Sequence, residues 1–362
     1  MEKQGRKLKK KFKIILVLVA ILLIGIATLL GTYCYFKSPV SNDKKEVSIV
    51  IENGSTISDI AALLKKEGLI KNENFFKLYV KLKKVSNVYA AKYYFSPSMN
   101  LDEIINTLNE GGYNENEISI TFKEGINMRG IAKLIKENTS NSEDDVYKKL
   151  KDEKYLNSAI EKYWFLTDDI KNSKIYYSLE GYLFPDTYRF NSKDVTVEEI
   201  FNKMLDQMEK ELNKYKKQIE NSKYSIHELM TLASITQSEG YNEDDFKNIA
   251  SVFYNRLKTG MALGSCVTSY YGVKKDMTDE LLQKDIDASN PYNTRGNNPV
   301  SFPVGPISMP GAKALDATLD PIETSYYFFV SDKNSKLYFT KTLNEHERMI
   351  TKLQNEGLWL EW

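Results

Sequence analysis

Cysteine and histidine are almost missing from this chain, with two of each in 362 residues. Cys34 and Cys266 lie far apart, so no disulfide framework is expected. His227 and His346 come without a CxxC pair, and a structural zinc site would have to rest on scattered carboxylates. No metal or other cofactor is therefore expected. Net charge is nearly absent too, at +1, but the balance is uneven along the chain. Lys3, Arg6, Lys7, Lys9, Lys10, Lys11 and Lys13 face only Glu2, a net +6, which leaves about −5 for everything after them. An acidic remainder argues against a nucleic-acid partner. Long apolar runs are lacking with one exception, the uncharged 23 residues from Ile14 to Phe36. At a rise of about 1.5 Å per residue that run spans a hydrocarbon core of roughly 30 Å. It closes on Tyr33, Cys34, Tyr35, Phe36 and Lys37, where a cleavable signal peptide would have small residues. The reading is an uncleaved single-pass anchor in the cell membrane, with the basic N-terminus cytoplasmic and the rest extracytoplasmic.

The chain beyond the anchor is long enough for more than one domain. The expected divisions are a tail (1–13), the anchor (14–36), a linker (37–45), a small module (46–112), a second unit leading into the core (113–190) and a C-terminal domain (191–362). Val47, Ile49 and Ile51 alternate as in a strand. Gly54 and Ser55 turn the chain into a helix carrying Ile57, Ile60, Ala61 and Leu64, closed at Gly68. The same pattern returns 71 residues later: VSIVIENGSTISDIAALLKKE matches ISITFKEGINMRGIAKLIKEN with seven identities in 21 positions, Gly54/Gly125 among them. That is a repeated strand-turn-helix unit. Asn138 to Lys174 is Lys-rich and helical in pattern, as in a variable insertion.

The chemistry points to Leu232–Leu257. Ser225 and Glu228 form a capping box, and Gly240 is a natural stop, so a helix should run between them. Leu229, Leu232, Ile235 and Glu239 share a face. A carboxylate that continues an apolar stripe and faces the negative end of the helix dipole holds its proton more tightly, as a general acid must. By spacing alone the favoured reading of Glu239 is a surface carboxylate at a frayed helix end. In the next helix Phe246, Ile249, Ala250, Phe253, Tyr254 and Leu257 read as core, Asn255 lies off that stripe, and Arg256 is open to either a solvated role or a buried ion pair.

Six segments in order carry a resemblance: Leu179-Glu180-Gly181-Tyr182-Leu183-Phe184-Pro185-Asp186-Thr187-Tyr188; Leu232 to Leu257; Gly260-Met261-Ala262-Leu263; Tyr292-Asn293-Thr294; Pro303 to Gly311; and Leu337 through His346, preceded by a Tyr326–Val330 segment that reads as a buried strand. Together they resemble the endolytic murein transglycosylase family (MltG, or YceG-like). The first repeat resembles the family's LysM-like module, associated there with glycan binding. The resemblance implies an α+β fold: a transmembrane helix, a small LysM-like β-α module, then an α+β catalytic domain. It also implies a lytic transglycosylase. Glu239 would protonate the β-1,4 oxygen between N-acetylmuramic acid and N-acetylglucosamine within glycan strands, then serve as the base that yields a 1,6-anhydromuramyl end. Asn255, Arg256, Thr268, Tyr292, Asn293, Thr294, Gly305 and Ser308 are the implied substrate-binding residues, and peptidoglycan strands and penicillin-binding proteins the implied partners. Three positions depart from the family: Gln237 where Glu is frequent, Cys266 where Asp is common, and Met309 for Asn. They leave room for a catalytically weak glycan-binding scaffold. A hydrolase using Asp186, Asp244 or Asp245 as a second carboxylate is a third reading.

Overall fold

The computed structural model describes residues 2–52, 54–83, 88–112 and 116–359, with side chains of the first helix described from Leu18 onward. The basic side chains of residues 3–13, those of 14–17 in the expected anchor, and the expected boundary at Tyr113 lie outside that set. The chain forms two compact units, residues 1–117 and 118–362.

The first unit begins with α1 (Glu2–Lys37), whose segment Leu18–Lys37 is long and apolar enough to cross a membrane, with mean hydropathy 2.1. Its C-terminal end is clasped to the module that follows. Tyr33 meets the rings of Phe75 and Tyr79, and Lys71 Nζ donates to Tyr35 O (2.9 Å) and Ser38 Oγ (2.7 Å). The module runs β1 (Val47–Ile51), α2 (Ile57–Lys66), α3 (Glu73–Leu82), β2 (Ala91–Phe95) and α4 (Leu101–Glu110), with β1 and β2 antiparallel in the register Val47 to Phe95. Alternation in the strands sends Ile49, Ile51, Tyr93 and Phe95 inward onto Ile60, Leu64, Phe76 and Ile104. Thr56 with Asp59, and Asn100 with Glu103, fix the starts of α2 and α4 through capping boxes.

The second unit repeats that plan and builds upon it. β3 (Ile118–Thr121) leads through a turn to α5 (Met128–Asn138). Then α6 (Glu143–Lys149) and α7 (Glu153–Lys162) precede β4 (Thr187–Phe190), which pairs antiparallel with β3, and α8 (Val197–Leu212). The repeat seen in twenty-one residues thus extends over strand, helices, returning strand and closing helix. Gly54 and Gly125 hold nearly the same backbone, φ 82° and 79°, which is the conformation the shared turn needs. The Asn138–Lys174 stretch is built into the main core through Val146, Leu150, Tyr155, Leu156, Tyr163 and Phe165.

Beyond α8 lie α9 (Lys216–Glu220), α10 (Ile226–Glu239), α11 (Glu243–Thr259), α12 (Cys266–Gly272), α13 (Gln283–Ile286), α14 (Ala312–Leu319), β5 (Phe328–Ser331), β6 (Leu337–Thr340) and α15 (Leu343–Asn355). α10 is the central helix: from Leu229 through Thr236 every residue is buried, between α11 and α14. The Tyr326–Val330 segment departs from the expected buried strand. It is half-buried on both faces, and its strand pairs with β6 in a two-stranded ribbon, Phe329 against Phe253 and Phe328 against His346 of α15. The structure is mixed α and β throughout, with three two-stranded antiparallel ribbons among the described residues.

Candidate active site

Glu239 is the last residue of α10. The Ser225–Glu228 capping box opens this helix, and Gly240 closes it in extended backbone (φ −105°, ψ 162°) rather than the left-handed form. The need for glycine there is one of space. A Cβ would stand 2.6 Å from Phe246 Cδ1, so Gly240 lets the start of α11 come close enough to wall in the end of α10.

The Glu239 side chain is held by one neutral donor and lies in the field of two cations. Oε1 accepts a hydrogen bond from Ser265 Oγ. Burial raises the carboxyl's pKa above the usual range, while the Ser265 hydroxyl and the charges of Arg295 and Arg256 draw it back in part. The net displacement is upward, so the acid retains its proton nearer to neutral pH.

Ser265 is itself fixed from behind. Its N–H donates to Thr294 Oγ1 (3.0 Å), and its carbonyl accepts from Thr268 Oγ1 (2.7 Å). Thr268 and Thr294 then meet hydroxyl to hydroxyl at 2.8 Å. All three are at most 2 % exposed. Asn293 is buried beside them, accepting from Ser269 Oγ (2.7 Å) and donating to the carbonyls of Ile286 and Ala288. Tyr292 is fully buried, its hydroxyl accepting from Tyr176 N and its ring packed between Tyr176 and Tyr271 at 4.7 and 4.8 Å.

Several residues expected at a ligand therefore sit one layer behind it. The hydroxyls and amide of Thr268, Asn293, Thr294 and Ser308 are turned into the protein, because each satisfies a buried backbone or side-chain group there. Ser308 Oγ donates to Ser234 O (3.0 Å) and lies 3.0 Å from Ser238 Oγ, joining the Pro303–Gly311 loop to α10. Gly305 leaves room for His227, whose Nε2 a Cβ would approach at 3.2 Å and which donates to Val304 O at 2.9 Å. Asn255 uses its amide on the carbonyls of Thr324 (3.0 Å) and Tyr326 (2.9 Å). Arg256 is half-buried and makes no ion pair among the described residues. Nε donates to Tyr327 O (2.6 Å), Nη1 to Leu263 O, and the guanidinium lies over the Phe328 ring, against which His346 also stacks. Its charge still acts on Glu239.

The three departures find structural explanations. Gln237 Oε1 accepts from Gly311 N (2.8 Å) at the start of α14, work for which a neutral acceptor suffices. Met309 is buried, and its sulfur takes the Gly181 N–H at 3.1 Å. Cys266 opens α12 half-buried, with Arg295 Nη1 donating to its sulfur, and burial pushes the thiol's pKa up.

Two residues of the site escape a reading of the sequence. Ser265 and Arg295 each stand directly beside a residue with a visible signal, Cys266 and Thr294. A second buried acid, Glu180, lies in an apolar run and bonds to α5 and α12. It is 1 % exposed, accepts from Met128 N with both oxygens (2.9 and 3.1 Å) and from Tyr271 Oη (2.8 Å), and burial pushes its pKa up to about 8.

The sequence profile of the YceG-like family matches residues 49–352. An endolytic murein transglycosylase of Bacillus subtilis (strain 168) is 39% identical over 329 residues, which is 89% of this chain and 90% of the relative. One from Streptococcus pneumoniae serotype 2 (strain D39) is 30% identical over 88% of this chain, which spans 60% of that longer relative. A YceG-like protein of Listeria monocytogenes, solved by crystallography at 2.6 Å, superimposes with a TM-score of 0.60 at 35% identity, covering 84% of this chain and 99% of its own.

Proposed function

The chain belongs to the YceG-like family and is a peptidoglycan-cleaving lytic transglycosylase, and from that premise we propose that Glu239 alone supplies the acid and the base of its reaction. The Glu239 carboxyl gives its proton to the β-1,4 glycosidic oxygen as the bond from C1 of N-acetylmuramic acid breaks. The carboxylate then takes the proton of the muramyl 6-hydroxyl while that oxygen bonds to C1. Glu239 ends as it began, no water is consumed, and the strand is left with a 1,6-anhydromuramyl end.

The observation that carries this reading is the environment of the carboxyl. It is raised by burial, oriented by one hydroxyl, and acted on by the cations Arg295 and Arg256. Hydrolytic glycosidases set a second carboxylate roughly 5–9.5 Å away. Of the candidates for that role, Asp186 is exposed beside β4, and Asp244 and Asp245 belong to the first turn of α11, where Asp245 is engaged in capping, accepting from Asn242 and from the Tyr241 N–H. Thr268, Asn293, Thr294 and Ser308 stiffen the floor beneath Glu239. Asn255 and Arg256 bind the 324–327 segment to α11 as one wall.

The remaining assignments extend the same reading. α1 anchors the chain with its basic end in the cytoplasm and the residues that follow it outside. The β-α-α-β order of the first unit, with its antiparallel strands, supports a LysM-like glycan-binding role. Residues 191–362 form the catalytic domain, and penicillin-binding proteins are its partners at sites of wall synthesis.

The test is mass spectrometry of products from uncrosslinked strands treated with the detergent-solubilised chain and with Glu239→Gln. Internal fragments with anhydromuramyl ends, made only by the unsubstituted protein, are expected. Anhydro ends from Glu239→Gln refute the assignment, reducing ends indicate hydrolysis, and binding without cleavage by either protein indicates a scaffold.

A further inference from the structure

Arg295 stands at the edge of this site with its charge unspent. It is the first exposed residue after the buried run Tyr292–Thr294, and its N–H is held by Asn293 Oδ1 at 3.0 Å. No ion pair of Arg295 with a carboxylate occurs among the described residues, and the hydrogen bond from its guanidinium goes to the Cys266 sulfur. A neutral thiol is a weak acceptor and does not compensate a cation. Ser265 and Cys266 are consecutive, the first on Glu239 and the second on Arg295, so acid and cation are held on neighbouring residues. The charge of Arg295 also acts on Arg256 and His346.

A guanidinium presents five N–H donors in a planar fork matched to a carboxylate, and one of them is occupied here. Of the two sugars that alternate in the strand, N-acetylglucosamine carries no carboxylate. N-acetylmuramic acid carries a lactyl group whose carboxyl is free in denuded strands and amide-linked in peptide-bearing ones, where the stem supplies carboxylates of its own. A cation beside the acid can thus tell one sugar from the other, and with it one β-1,4 linkage from the next.

We infer that Arg295 is a substrate-recognition residue that takes a carboxylate borne by the muramyl unit and so sets the register of the strand over Glu239. This rests on Glu239 being the acid of a lytic transglycosylase. Neutralising Arg295 by the bound carboxylate also removes a charge that lowers the pKa of Glu239, so correct register and a better-held proton arrive together.

The test uses the full chain in detergent with three substrates: peptide-bearing strands, the same strands with their carboxylates converted to amides, and denuded strands with free lactyl groups. Proteins compared are the unsubstituted chain, Arg295→Gln, and Cys266→Asp, which supplies Arg295 with an internal carboxylate. The unsubstituted chain is expected to prefer charged to amidated strands by about tenfold or more in KM. Arg295→Gln should lose that preference while keeping its KM on amidated strands, and Cys266→Asp should lose it in part. Preference for the peptide-bearing over the denuded strand identifies the stem as the carboxylate's source, and the reverse identifies the lactyl group. Equal effects of Arg295→Gln on charged and amidated strands overturn the inference. Measuring strand affinity in a Glu239→Gln background asks the same question without turnover, so the recognition role can fail while the acid assignment stands, or survive its failure.

Discussion

Replacing Ser265 by alanine isolates a single interaction at the acid. The serine's main chain is fixed independently of its hydroxyl, through Thr294 Oγ1 on its N–H and Thr268 Oγ1 on its carbonyl, so the backbone should stay in place. What disappears is the donor to Glu239 Oε1. A hydrogen bond to a charged group contributes about 1.5–3 kcal/mol, and one pKa unit corresponds to about 1.4 kcal/mol. Because the bond favours the carboxylate over the acid, its loss should raise the Glu239 pKa further. The alkaline limb of kcat/KM, where the free enzyme loses its acid proton, should move to higher pH. The rate at the optimum should fall as well, since the carboxyl loses its orienting contact. The assay is anhydromuramyl end formation measured from pH 5 to 9 with Ser265→Ala, with Ser265→Thr as the variant that keeps a hydroxyl. An alkaline limb that does not move, or moves down, would falsify the account of how Glu239 is tuned.

Two further perturbations test the frame around the site. Glu180 has its pKa raised from 4.5 to about 8, so between those values the native state holds a proton that the unfolded chain has lost, and stability falls as pH rises. At about 1.4 kcal/mol per unit the decline is at most about 5 kcal/mol. Denaturant melts across pH 5–8 should show it, and Glu180→Gln should flatten it; an unchanged slope in the variant refutes the assignment. Asn255→Ala strips donors from the carbonyls of Thr324 and Tyr326, a loss of about 1–3 kcal/mol. Hydrogen exchange should then accelerate first in β5 and β6, and uniform acceleration across the chain would count against a local tether.

Much of this was legible in the sequence because it is local. Capping boxes, the apolar stripe of α10 and the strand-turn-helix repeat are set by neighbours within a few residues, and each formed where its residues indicated. The apolar helix at the N-terminus needed only composition. Burial of polar groups was the part that escaped. Asn293, Thr294 and Ser308 have the chemistry of sugar-binding residues, but which way a hydroxyl faces depends on long-range packing: Thr294 meets Thr268 across 26 positions and Ser308 meets Ser234 across 74. Ser265 was missed for the same reason, since its partner Glu239 is 26 positions away. The Tyr326–Val330 segment reads as buried because it is apolar, yet its residues are only half-buried, since it lies in a two-stranded ribbon rather than a larger sheet.

The two copies of the strand-turn-helix unit share a backbone but stand in different surroundings. Their turns have kept one shape, but around Gly54 nothing lies within 4 Å of where a side chain would begin, whereas at Gly125 the same point is 3.7 Å from Gln237. The second turn has also acquired reciprocal backbone bonds with Met309, from Gly125 N to its carbonyl and from its N–H to Ile126 O. The first turn stands free, while the second is built into the loop that carries Met309. Both glycines resist replacement through their left-handed backbone, φ 82° and 79°, but only at the second does a change also reach the contacts of Gln237 and Met309.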